Sequence, residues 1–595
     1  MKYKTIQTLM LPDSEEENYG LYYQGTEGVR LIGGEEKSLY IPENGNVDLF
    51  TYFNGFYPKQ WAQYAELNGL HVKVTVSGSC SVSLCHTDGK RTVVNGEEEC
   101  LAGDEERTVT FEVPDPQHSK AFWICVKGLK QGGYLRNITV QTEVERLQEV
   151  NLAAVICTCR REKEVIGNLE RISRMDIKER PEIFLIDNGN TLTEYMVPEW
   201  VHLVPNRNCG GAGGFTRGML EAMDHKEKPT HVLLMDDDVM ILPESLIRTY
   251  NLLKIVRPEY EHHFISGAML FYEEMNFLYE DVGFMDHEGT YGPLKDRVDT
   301  RKIEDVLRCE EIIHEPKNAY AGWWYCCIPA EFVRKDNLPL PVFVRGDDVE
   351  YSLRNKAKFI TLSGICIWHM GFTNKFNGAM EFYQVHRNTL MLQAASGVCQ
   401  NADIMTRVRK LIRVNLLRFN YDGAELLLDA VEDYMKGYKF FMKNQGEKLL
   451  KEKSQKNEKM EPLSNFPEAP TKVFSVYAPD LPRKPWETFL YRITYNGHFW
   501  PEKLLKKETV PVAYDWYYSP HRYFFRRRLL AVNPHLKMGA YREMDKKRFF
   551  ELFSRERKLF SRYNKIHVRL EKEYRNHRKE FTSESFWRKY LEIDK

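Results

Sequence analysis

Three consecutive aspartates follow an apolar run in the stretch HVLLMDDDVMILPESL, which spans residues 231–246. Adjacent carboxylates raise one another's pKa unless a cation neutralises them, so we expect a divalent metal ion here. Oxygen ligands suit Mg2+ or Mn2+, and a nearby imidazole favours Mn2+. In an extended chain Asp236 and Asp238 project to the same side and form the expected ligand pair, while Asp237 projects to the other. A helix cap or a solvated turn is the alternative.

A second carboxylate pair lies in VRGDDVEYSLR, residues 344–354. Asp347 and Asp348 stand at the start of a predicted helix, where one of them could accept a proton from a hydroxyl group or cap the helix. Upstream, Trp323 and Trp324 offer flat aromatic surfaces that suit either a sugar face or the protein core.

A glycine-rich loop and a histidine complete the set of candidate residues. The stretch NRNCGGAGGF, residues 206–215, contains Asn208, Gly210 and Gly211 before a predicted helix. Glycines let backbone N–H groups approach an anion, and the helix adds its positive end. The spacing fits neither GxGxxG nor a P-loop, so a tight turn and a ligand cradle both stay open. His369 ends a predicted strand and is either a core residue or a metal ligand.

Repeated strand–helix units from residue 151 onward position these groups. Predicted strands cover 152–156, 182–186, 201–204 and 231–235. Such alternation implies a parallel sheet with ligands at the carboxyl ends of its strands. Polar residues follow each of these ends: Thr158 and Arg160, Asp187 and Asn188, Asn206 and Asn208, and Asp236 to Asp238.

The flanking regions differ in pattern. Residues 1–148 show alternating strands between turn residues, which predicts a β-sandwich or barrel domain. Its aromatic residues could stack on sugars, although a core role is favoured. Seven are candidates for such stacking: Tyr22, Tyr23, Tyr52, Phe53, Phe56, Tyr57 and Trp61. Residues 401–595 read as mostly helical, with a loop or linker at 444–472 and a long charged helix around 555–579. We therefore expect domains at 1–148, 149–400 and 401–595.

Composition excludes several function classes. The chain has 595 residues, 43 % of them apolar, and a net charge of −1, so neither nucleic acid nor an anionic membrane is predicted as its main partner. No signal peptide or membrane-spanning run is evident, which predicts a cytoplasmic protein. The 12 cysteines are scattered without a CxxC pair and indicate reduced thiols.

A basic, aromatic stretch near the C-terminus provides one candidate membrane contact. It could lie peripherally on the inner, anionic face of the cell membrane, where a lipid-linked acceptor would be found. A solvated helical face plus core aromatics is the alternative. The residues are Arg522, Arg526, Arg527, Arg528, Lys546, Lys547 and Arg548, interleaved with Tyr523, Phe524, Phe525, Phe549 and Phe550.

Taken in order, the motifs resemble the GT-A-fold glycosyltransferases of family 2. The motifs are TCR at 158–160, Asp187, NCGGAGGF at 208–215, DDD at 236–238, WW at 323–324, GDDVEYSLR at 346–354 and WH at 368–369. More narrowly, the chain is similar to the polymerising galactofuranosyltransferases of bacterial cell-wall galactan synthesis. The resemblance covers residues 150–400 and implies an α/β, GT-A (nucleotide-diphospho-sugar transferase) central domain, with the N-terminal β-sandwich or barrel and the mostly helical C-terminal domain beside it.

The resemblance also implies a reaction. It is an inverting, metal-dependent transfer of a sugar, galactofuranose as first choice, from a UDP-sugar donor to a hydroxyl of a lipid-linked or cell-surface glycan acceptor. The implied metal ligands for Mn2+ or Mg2+ are Asp236, Asp238 and His369, and the implied general base is Asp348. The implied nucleotide-sugar contacts are Arg160, Asp187, Asn208, Gly210, Gly211, Asp237 and His386, and the implied acceptor contacts are Trp323, Trp324 and Asp347.

Two other classes of function stay open at this point. A haloacid-dehalogenase-type, Mg2+-dependent phosphohydrolase also uses a strand-end aspartate pair, although Met240 stands where that family has Thr or Val. A non-catalytic carbohydrate-binding protein is the third reading. The sequence leaves open the donor sugar, the linkage, polymerisation and the formation of homo-oligomers.

Overall fold

The protein is described by a computed structural model that covers residues 1–595 except 1, 35–36, 91, 101–104, 114–117, 176–179, 296–297, 311–316, 373, 479–483, 516–522 and 594–595. The N-terminal region is a nine-stranded antiparallel sheet built on two long strands, β6 and β9. Its elements are β1 (Lys2–Thr8), β2 (Gln24–Gly25), β3 (Arg30–Ile32), β4 (Ser38–Ile41), β5 (Asn46–Asp48), α1 (Pro58–Tyr64), β6 (Asn68–Thr87), β7 (Thr92–Cys100), β8 (Arg107–Glu112) and β9 (Ala121–Val144).

The aromatic residues of this region form its core. All seven that the sequence brought forward as candidate sugar platforms are buried: Tyr22, Tyr23, Tyr52, Phe53, Phe56, Tyr57 and Trp61. The favoured core interpretation is therefore confirmed. This core continues without a break into the apolar side chains of the central region.

The central region contains a seven-stranded sheet in the order β12-β11-β10-β13-β22-β15-β23. Its elements are β10 (Leu152–Thr158), α2 (Glu162–Ser173), β11 (Glu182–Asp187), β12 (Val201–Pro205), α3 (Gly210–Asp224), β13 (His231–Asp236), β14 (Met240–Ile241), α4 (Pro243–Ile255), β15 (Phe264–Ser266), β16 (Ala268–Phe271), β17 (Phe277–Glu280), β18 (Gly283–Met285), β19 (Tyr291–Pro293), β20 (Val298–Asp299), α5 (Ile303–Cys309), β21 (Ala319–Tyr320), β22 (Cys326–Pro329), α6 (Asp347–Arg354), β23 (Phe359–Ile360), β24 (Cys366–His369) and α7 (Val385–Ser396).

Four of these strands, β10 to β13, are parallel, as the strand–helix alternation predicts. In this register Thr158 lies opposite Asp187, and Cys157 lies opposite Asp236. The strand ends that carry polar residues therefore lie side by side. A second sheet, in the order β14-β24-β16-β17-β20, borders this edge.

An ion pair on α4 joins the N-terminal sheet to the central region. Arg248 Nε lies 3.1 Å from Glu244 Oε1, and the Arg248 side chain is 1 % exposed. Arg248 also donates to the Phe53 carbonyl at 2.7 Å, while the Thr8 hydroxyl donates to Glu244 at 2.8 Å. A buried guanidinium without such partners costs about 3–5 kcal/mol, so the two regions depend on each other.

The C-terminal region is mostly helical, as predicted, and also holds a four-stranded sheet in the order β25-β28-β27-β26. The prediction of a loop or linker at 444–472 is wrong for residues 446–454, which form a helix. Lys453 on this helix forms an ion pair with Asp429 at 2.8 Å, which holds the helix against the rest of the region. The elements are α8 (Ile404–Leu417), α9 (Tyr421–Tyr434), α10 (Tyr438–Phe441), α11 (Gly446–Ser454), β25 (Glu461–Pro462), α12 (Pro485–Ile493), β26 (Val510–Ala513), β27 (Arg528–Asn533), β28 (Met538–Glu543), α13 (Lys546–Phe581) and α14 (Glu584–Leu591).

The fold class predicted from the sequence is confirmed. An N-terminal β region, a central mixed α/β region and a C-terminal, mostly helical region follow one another along the chain. The long charged helix predicted around 555–579 lies inside α13, which has 36 residues. The domain boundaries stay a prediction.

Candidate active site

A cavity of about 690 Å³ opens at the carboxyl ends of β10 and β13, beside the first turns of α3 and α6. This volume is typical of a small-molecule binding site. All the predicted site residues except Arg160 and Asp187 line it: Asn208, Gly210, Gly211, Asp236, Asp237, Asp238, Trp323, Trp324, Asp347, Asp348, His369 and His386.

Asp187 forms hydrogen bonds with the backbone of the residues that follow it. Its carboxylate accepts hydrogen bonds from the N–H groups of Gly189, Thr191 and Leu192 at 2.7–2.9 Å, and the residue is 1 % exposed. Asp187 therefore shapes the loop that follows β11. Arg160 is exposed and adopts a φ of 58°, which is uncommon for a residue with a side chain.

Two strands bring His369 to the aspartates. After Asp236 the chain turns through Asp238 into β14, which pairs with β24 so that Met240 lies opposite Trp368. His369, the residue after Trp368, therefore lies beside the aspartate turn, and its Nε2 is 3.3 Å from Asp238 Oδ1. Ligand atoms of Asp236, Asp238 and His369 all lie within 4.8 Å of one another. We call these three residues the aspartate–histidine cluster.

Two cationic side chains that the sequence did not bring forward contact this cluster. Arg161 and Lys375 both bind Asp238 Oδ2, and Lys375 Nζ also lies 3.2 Å from His369 Nε2. Arg161 approaches Asp237 at 3.6 Å. Arg161 follows the TCR motif directly, which is the signal that could have found it. Lys375 comes from the turn after β24 and has no such signal.

Burial and the neighbouring charges give the three aspartates different pKa values. Burial acts to raise the pKa of Asp238, but His369, Lys375 and Arg161 outweigh it and hold the pKa below its usual range. Burial, with the charges of Asp238 and Asp237, raises the pKa of Asp236 well above its usual range. Burial likewise raises the pKa of Asp237 to about 6. The charge of Lys375 offsets the raised pKa of Asp236 only in part, and Asp236 forms no ion pair with another described residue.

The donor set of this cluster fits a divalent metal ion. It offers carboxylate oxygens from Asp236 and Asp238 and one imidazole, and His369 Nδ1 is buried without a hydrogen-bond partner among the described residues. Hard oxygen ligands with one nitrogen ligand suit Mn2+, and oxygen ligands alone suit Mg2+. A helix cap, the alternative for this triplet, does not fit, since α4 begins only at Pro243.

The glycines before and in α3 allow close packing of this helix. Gly210 has a φ of 72°, and a β-carbon there would lie 2.1 Å from the carbonyl oxygen of Phe343. A β-carbon at Gly214 would lie 2.1 Å from Cys157 Sγ on β10. A side chain at Gly210 would push α3 away from the segment before α6, and one at Gly214 would push it away from the sheet. Gly211 faces the cavity, with its β-carbon position 3.6 Å from Asp347.

Asp347 and Asp348 occupy the first turn of α6, and we call them the helix-start pair. The preceding residue, Gly346, has a φ of 91°, which favours glycine. Buried Asn388 on α7 fixes this turn by donating to the carbonyls of Val344 and Arg345 at 2.7 and 2.9 Å. The pair therefore lines the cavity from a helix start whose preceding segment is held in place by Asn388.

Neither member of the helix-start pair forms an ion pair with another described residue, although the charge of Arg345 acts to lower both pKa values. Burial raises the pKa of Asp348 to about 6. Burial and the charge of Asp348 raise the pKa of Asp347 to about 7. Glu280 at the end of β17 also lines the cavity, and burial, with the charges of Asp348 and Asp281, raises its pKa well above its usual range. The sequence did not bring Glu280 forward, because a single glutamate at the end of a short strand carries no motif.

The remaining predicted residues form the walls of the cavity. Trp323 and Trp324 are both buried, and Trp324 Nε1 donates to the Gly267 carbonyl at 3.1 Å. Trp323 Nε1 is buried without a hydrogen-bond partner in the described part of the chain. His386 Nδ1 lies 3.0 Å from the Glu381 carbonyl, and burial lowers the pKa of His386 to about 4. His386 therefore contributes a neutral imidazole to the wall.

The basic, aromatic stretch is largely packed against the protein. Tyr523, Phe524, Phe525 and Phe549 are buried, while Phe550 is exposed. Arg522 lies outside the described residues. The described arginines contact carboxylates of the chain: Arg526 with Glu508, Arg527 with Glu502, Arg528 with Glu468, and Arg548 with Asp422. Among the described residues, no helix has both the length and the apolar character needed to cross a bilayer.

Comparisons with known proteins agree with the motifs. Residues 6–149 match the family described as Galactofuranosyltransferase 2 N-terminal. The galactofuranosyltransferases GlfT2 of Mycolicibacterium smegmatis and Mycobacterium tuberculosis are each 24 % identical to the chain, over 69 % of its length and over 67 % and 68 % of theirs. Among solved structures, S. aureus TarS 1-349 is 13 % identical, covers 51 % of this chain and 87 % of that chain, and superposes weakly, with a TM-score of 0.31.

The resemblance inferred from the motifs is therefore confirmed at the level of distant homology. Both relatives match over two thirds of the chain, well beyond the N-terminal family match. The chain is similar to the galactofuranosyltransferases GlfT2 of the two mycobacteria, at 24 % identity, and this similarity indicates a glycosyltransferase of the galactofuranosyltransferase-like class.

Proposed function

We propose that the chain is an inverting, metal-dependent glycosyltransferase that moves galactofuranose from a UDP-sugar to a hydroxyl group of a glycan. The names of the two relatives are the support for this sugar. One observation carries the proposal: a cation-contacted aspartate–histidine cluster and a helix-start pair of raised pKa line the same cavity. The first suits a diphosphate with its metal ion, and the second suits proton transfer.

We assign the donor to the side of the cavity that holds the aspartate–histidine cluster. Asp236, Asp238 and His369 would hold Mn2+ or Mg2+, which when bound would offset the negative charge of the leaving UDP. Arg161 and Lys375 lie against Asp238 and add positive charge where the diphosphate would bind.

The nucleotide-sugar would contact the cavity wall around the start of α3. We propose that Asn208, Gly210, Gly211, Asp237 and His386 contact it directly. Asp187 lies outside the cavity lining and would act through the loop that it holds. Arg160, exposed after β10 and next to Gly189 of this loop, would reach the nucleotide from there.

We assign Asp348 as the general base. Its pKa of about 6 leaves it ionised at neutral pH, yet close enough to that pH to accept a proton readily. It takes the proton of the acceptor hydroxyl while the hydroxyl oxygen attacks the anomeric carbon from the face opposite UDP. The bond from the anomeric carbon to UDP breaks, its electron pair leaves with UDP, and the configuration inverts. Asp347, Trp323 and Trp324 would hold the acceptor.

The first experiment follows release of nucleoside diphosphate from a panel of nucleotide sugars, with Mn2+ and with EDTA. Metal-dependent release from UDP-galactofuranose alone would support both the reaction and the donor. Release from another nucleotide sugar would keep the reaction and change the donor. Absence of release, together with absence of metal-dependent UDP binding, would overturn the proposal. Phosphate release from a simple phosphate ester in a parallel assay would instead favour the phosphohydrolase.

A lipid-linked acceptor would place the enzyme peripherally at a membrane. The buried aromatics of residues 523–549 do not suit this contact, whereas Trp486, Phe489 and Ile493 on α12 are 57 %, 62 % and 54 % exposed. We propose that this face of α12 meets the lipid surface. Co-sedimentation with anionic liposomes at low salt tests the contact. Equal sedimentation of the wild type and a W486S/F489S variant would contradict it.

A further inference from the structure

A second group of metal-ligand side chains lies on the central sheet away from the cavity. It consists of Glu182, His202 and His225, whose ligand atoms all lie within 4.8 Å of one another. Glu182 begins β11, and the cavity lies beyond the other end of this strand. At about 3.3 Å per residue, the five steps from Glu182 to Asp187 separate the two places by roughly 16 Å. This group is therefore distinct from the aspartate–histidine cluster.

Three different elements supply the three side chains. β12 is the edge strand of the seven-stranded sheet and pairs in parallel with β11, so that His202 lies opposite Phe184. His225 is the residue directly after the last turn of α3. The group thus connects the sheet edge, its neighbouring strand and the end of the helix that packs over them.

The Phe184 ring fixes both imidazoles. His202 stacks on it at 4.9 Å with an interplanar angle of 20°, and His225 meets it edge-on at 5.5 Å and 78°. The two imidazole centroids lie 5.1 Å apart. Side chains held in this way lose little rotamer freedom on binding, which favours a bound ligand.

The nitrogen atoms suit coordination. His202 Nε2 contacts Glu182 Oε1 directly, and both side chains are about two fifths exposed. His225 Nδ1 lies 3.4 Å from the Glu227 carbonyl, a contact that leaves Nε2 available as a ligand and orients the ring. The partial exposure leaves room for water in a remaining coordination position.

We propose that Glu182, His202 and His225 form a second metal site, selective for Zn2+ over Mg2+. Two imidazoles and one carboxylate with an open position are a ligand set that Zn2+ accepts, whereas Mg2+ requires mainly oxygen ligands. The bound ion links the edge strand β12 to β11 and to the end of α3. This site does not depend on the proposed glycosyl transfer.

Zn2+ titration of the full chain, freed of any histidine tag and of bound metal, tests the proposal. The aspartate–histidine cluster can also take up Zn2+, so the quantity to compare is the number of equivalents bound. We expect His225→Asn to bind one equivalent fewer than the wild type, and to lose the rise in melting temperature that this equivalent gives. Mg2+ added in its place should not bind at this site.

His262→Asn is the matched control. His262 also contacts a surface glutamate, Glu331, but this pair belongs to no three-ligand group among the described residues. Zn2+ uptake by this variant should equal that of the wild type. Equal Zn2+ uptake by the wild type and His225→Asn, or an equal loss in His262→Asn, would overturn the proposal.

A second variant covers a failure of His225→Asn to fold. Glu182→Gln keeps both imidazoles, the size of the side chain and its hydrogen bonding to His202, and circular dichroism verifies its fold. It should bind Zn2+ at least tenfold more weakly at this site, since a neutral amide is a poor metal ligand. Unchanged Zn2+ affinity in folded Glu182→Gln would exclude the carboxylate as a ligand and overturn the site as proposed.

Discussion

The aspartate–histidine cluster and the helix-start pair both place carboxylates on the wall of one cavity, yet the protein stabilises their charge differently. Asp238 has Arg161, Lys375 and His369 in contact and a lowered pKa. Asp348 accepts a hydrogen bond from the N–H of Val349 at 2.8 Å and is near the charge of Arg345, yet burial outweighs both and raises its pKa. Removal from water alone thus does not decide protonation; neighbouring cations do. The aspartate–histidine cluster is therefore suited to binding a metal ion and a diphosphate, whereas the helix-start pair is suited to exchanging a proton.

The largest expected effect comes from removing the proposed general base. Asp348→Asn should lower kcat by about 10²–10⁴-fold, because the acceptor hydroxyl loses its proton acceptor. UDP binding with Mn2+ should stay unchanged in calorimetry, since the donor contacts lie elsewhere. Asp336→Asn, at a side chain that is 79 % exposed, is the matched control. Loss of UDP binding in Asp348→Asn would contradict the role of base.

The next largest effect is expected on donor binding, from a change in the aspartate–histidine cluster. Asp238→Asn should weaken Mn2+-dependent UDP binding about tenfold or more, equivalent to ~1.4 kcal/mol or more. The variant loses a metal ligand, and Arg161 and Lys375 lose the carboxylate that they share. EDTA should weaken UDP binding of the wild type to a similar extent. If Asp238→Asn lowered kcat without any change in UDP binding, the division of the cavity into two sides would be wrong.

The pH dependence of kcat/KM should report the helix-start pair. A carboxylate base works only when ionised, so activity should be full above neutral pH and fall about tenfold per unit below pH 6. Asp347 titrates near pH 7 beside it, so the observed value belongs to the pair.

A variant at the neighbouring residue sharpens this test. Burial and the charge of Asp348 raise the pKa of Asp347 to about 7, so Asp347 is mostly protonated and uncharged when Asp348 titrates near pH 6. Asp347→Asn should therefore leave the acidic limb within about half a unit of its wild-type position. Asp336→Asn again serves as control and should leave the profile in place. A shift of the limb by about a unit or more in Asp347→Asn would mean that Asp347, rather than Asp348, sets the profile.

The smallest effect concerns the tryptophans that line the cavity. Trp324 donates a hydrogen bond to the Gly267 carbonyl, while Trp323 Nε1 has no partner in the described part of the chain. Replacement by Phe removes similar volume at both positions, so Trp324→Phe should destabilise the fold by about 1 kcal/mol more than Trp323→Phe. Urea unfolding of the two variants measures the difference. The reverse order would show that Trp323 carries the structural role.

Residue types at strand ends predicted that the aspartates lie at the edge where the parallel strands end. The place of His369 beside them was implied only by the family resemblance, because β24 belongs to the second sheet and pairs with β14. Lys375 could not be predicted in the same way, because its contact with Asp238 depends on the path of the turn after β24. Asp187 resembled a ligand contact in sequence, but three backbone N–H groups bind it, and no sequence pattern reveals such bonds.

Glycine patterns and short strands show a second limit of sequence reasoning. A glycine-rich loop before a helix predicts either a turn or an anion cradle, and the pattern cannot show that Gly214 is required by contact with Cys157. The C-terminal sheet was not predicted, because its strands have two to six residues and lie among helical segments. Such strands are formed by their tertiary partners rather than by local propensity.

The ion pair between Glu244 and Arg248 limits where the chain can be truncated without loss of stability. Arg248 depends on the Phe53 carbonyl, and Glu244 on Thr8, so a chain shortened to residues 149–595 would lose partners for both charges. It would also uncover the apolar core that the two regions share. The N-terminal sheet is thus no independent module that could be moved to another enzyme, and limited proteolysis near residue 148 should not release two stable fragments.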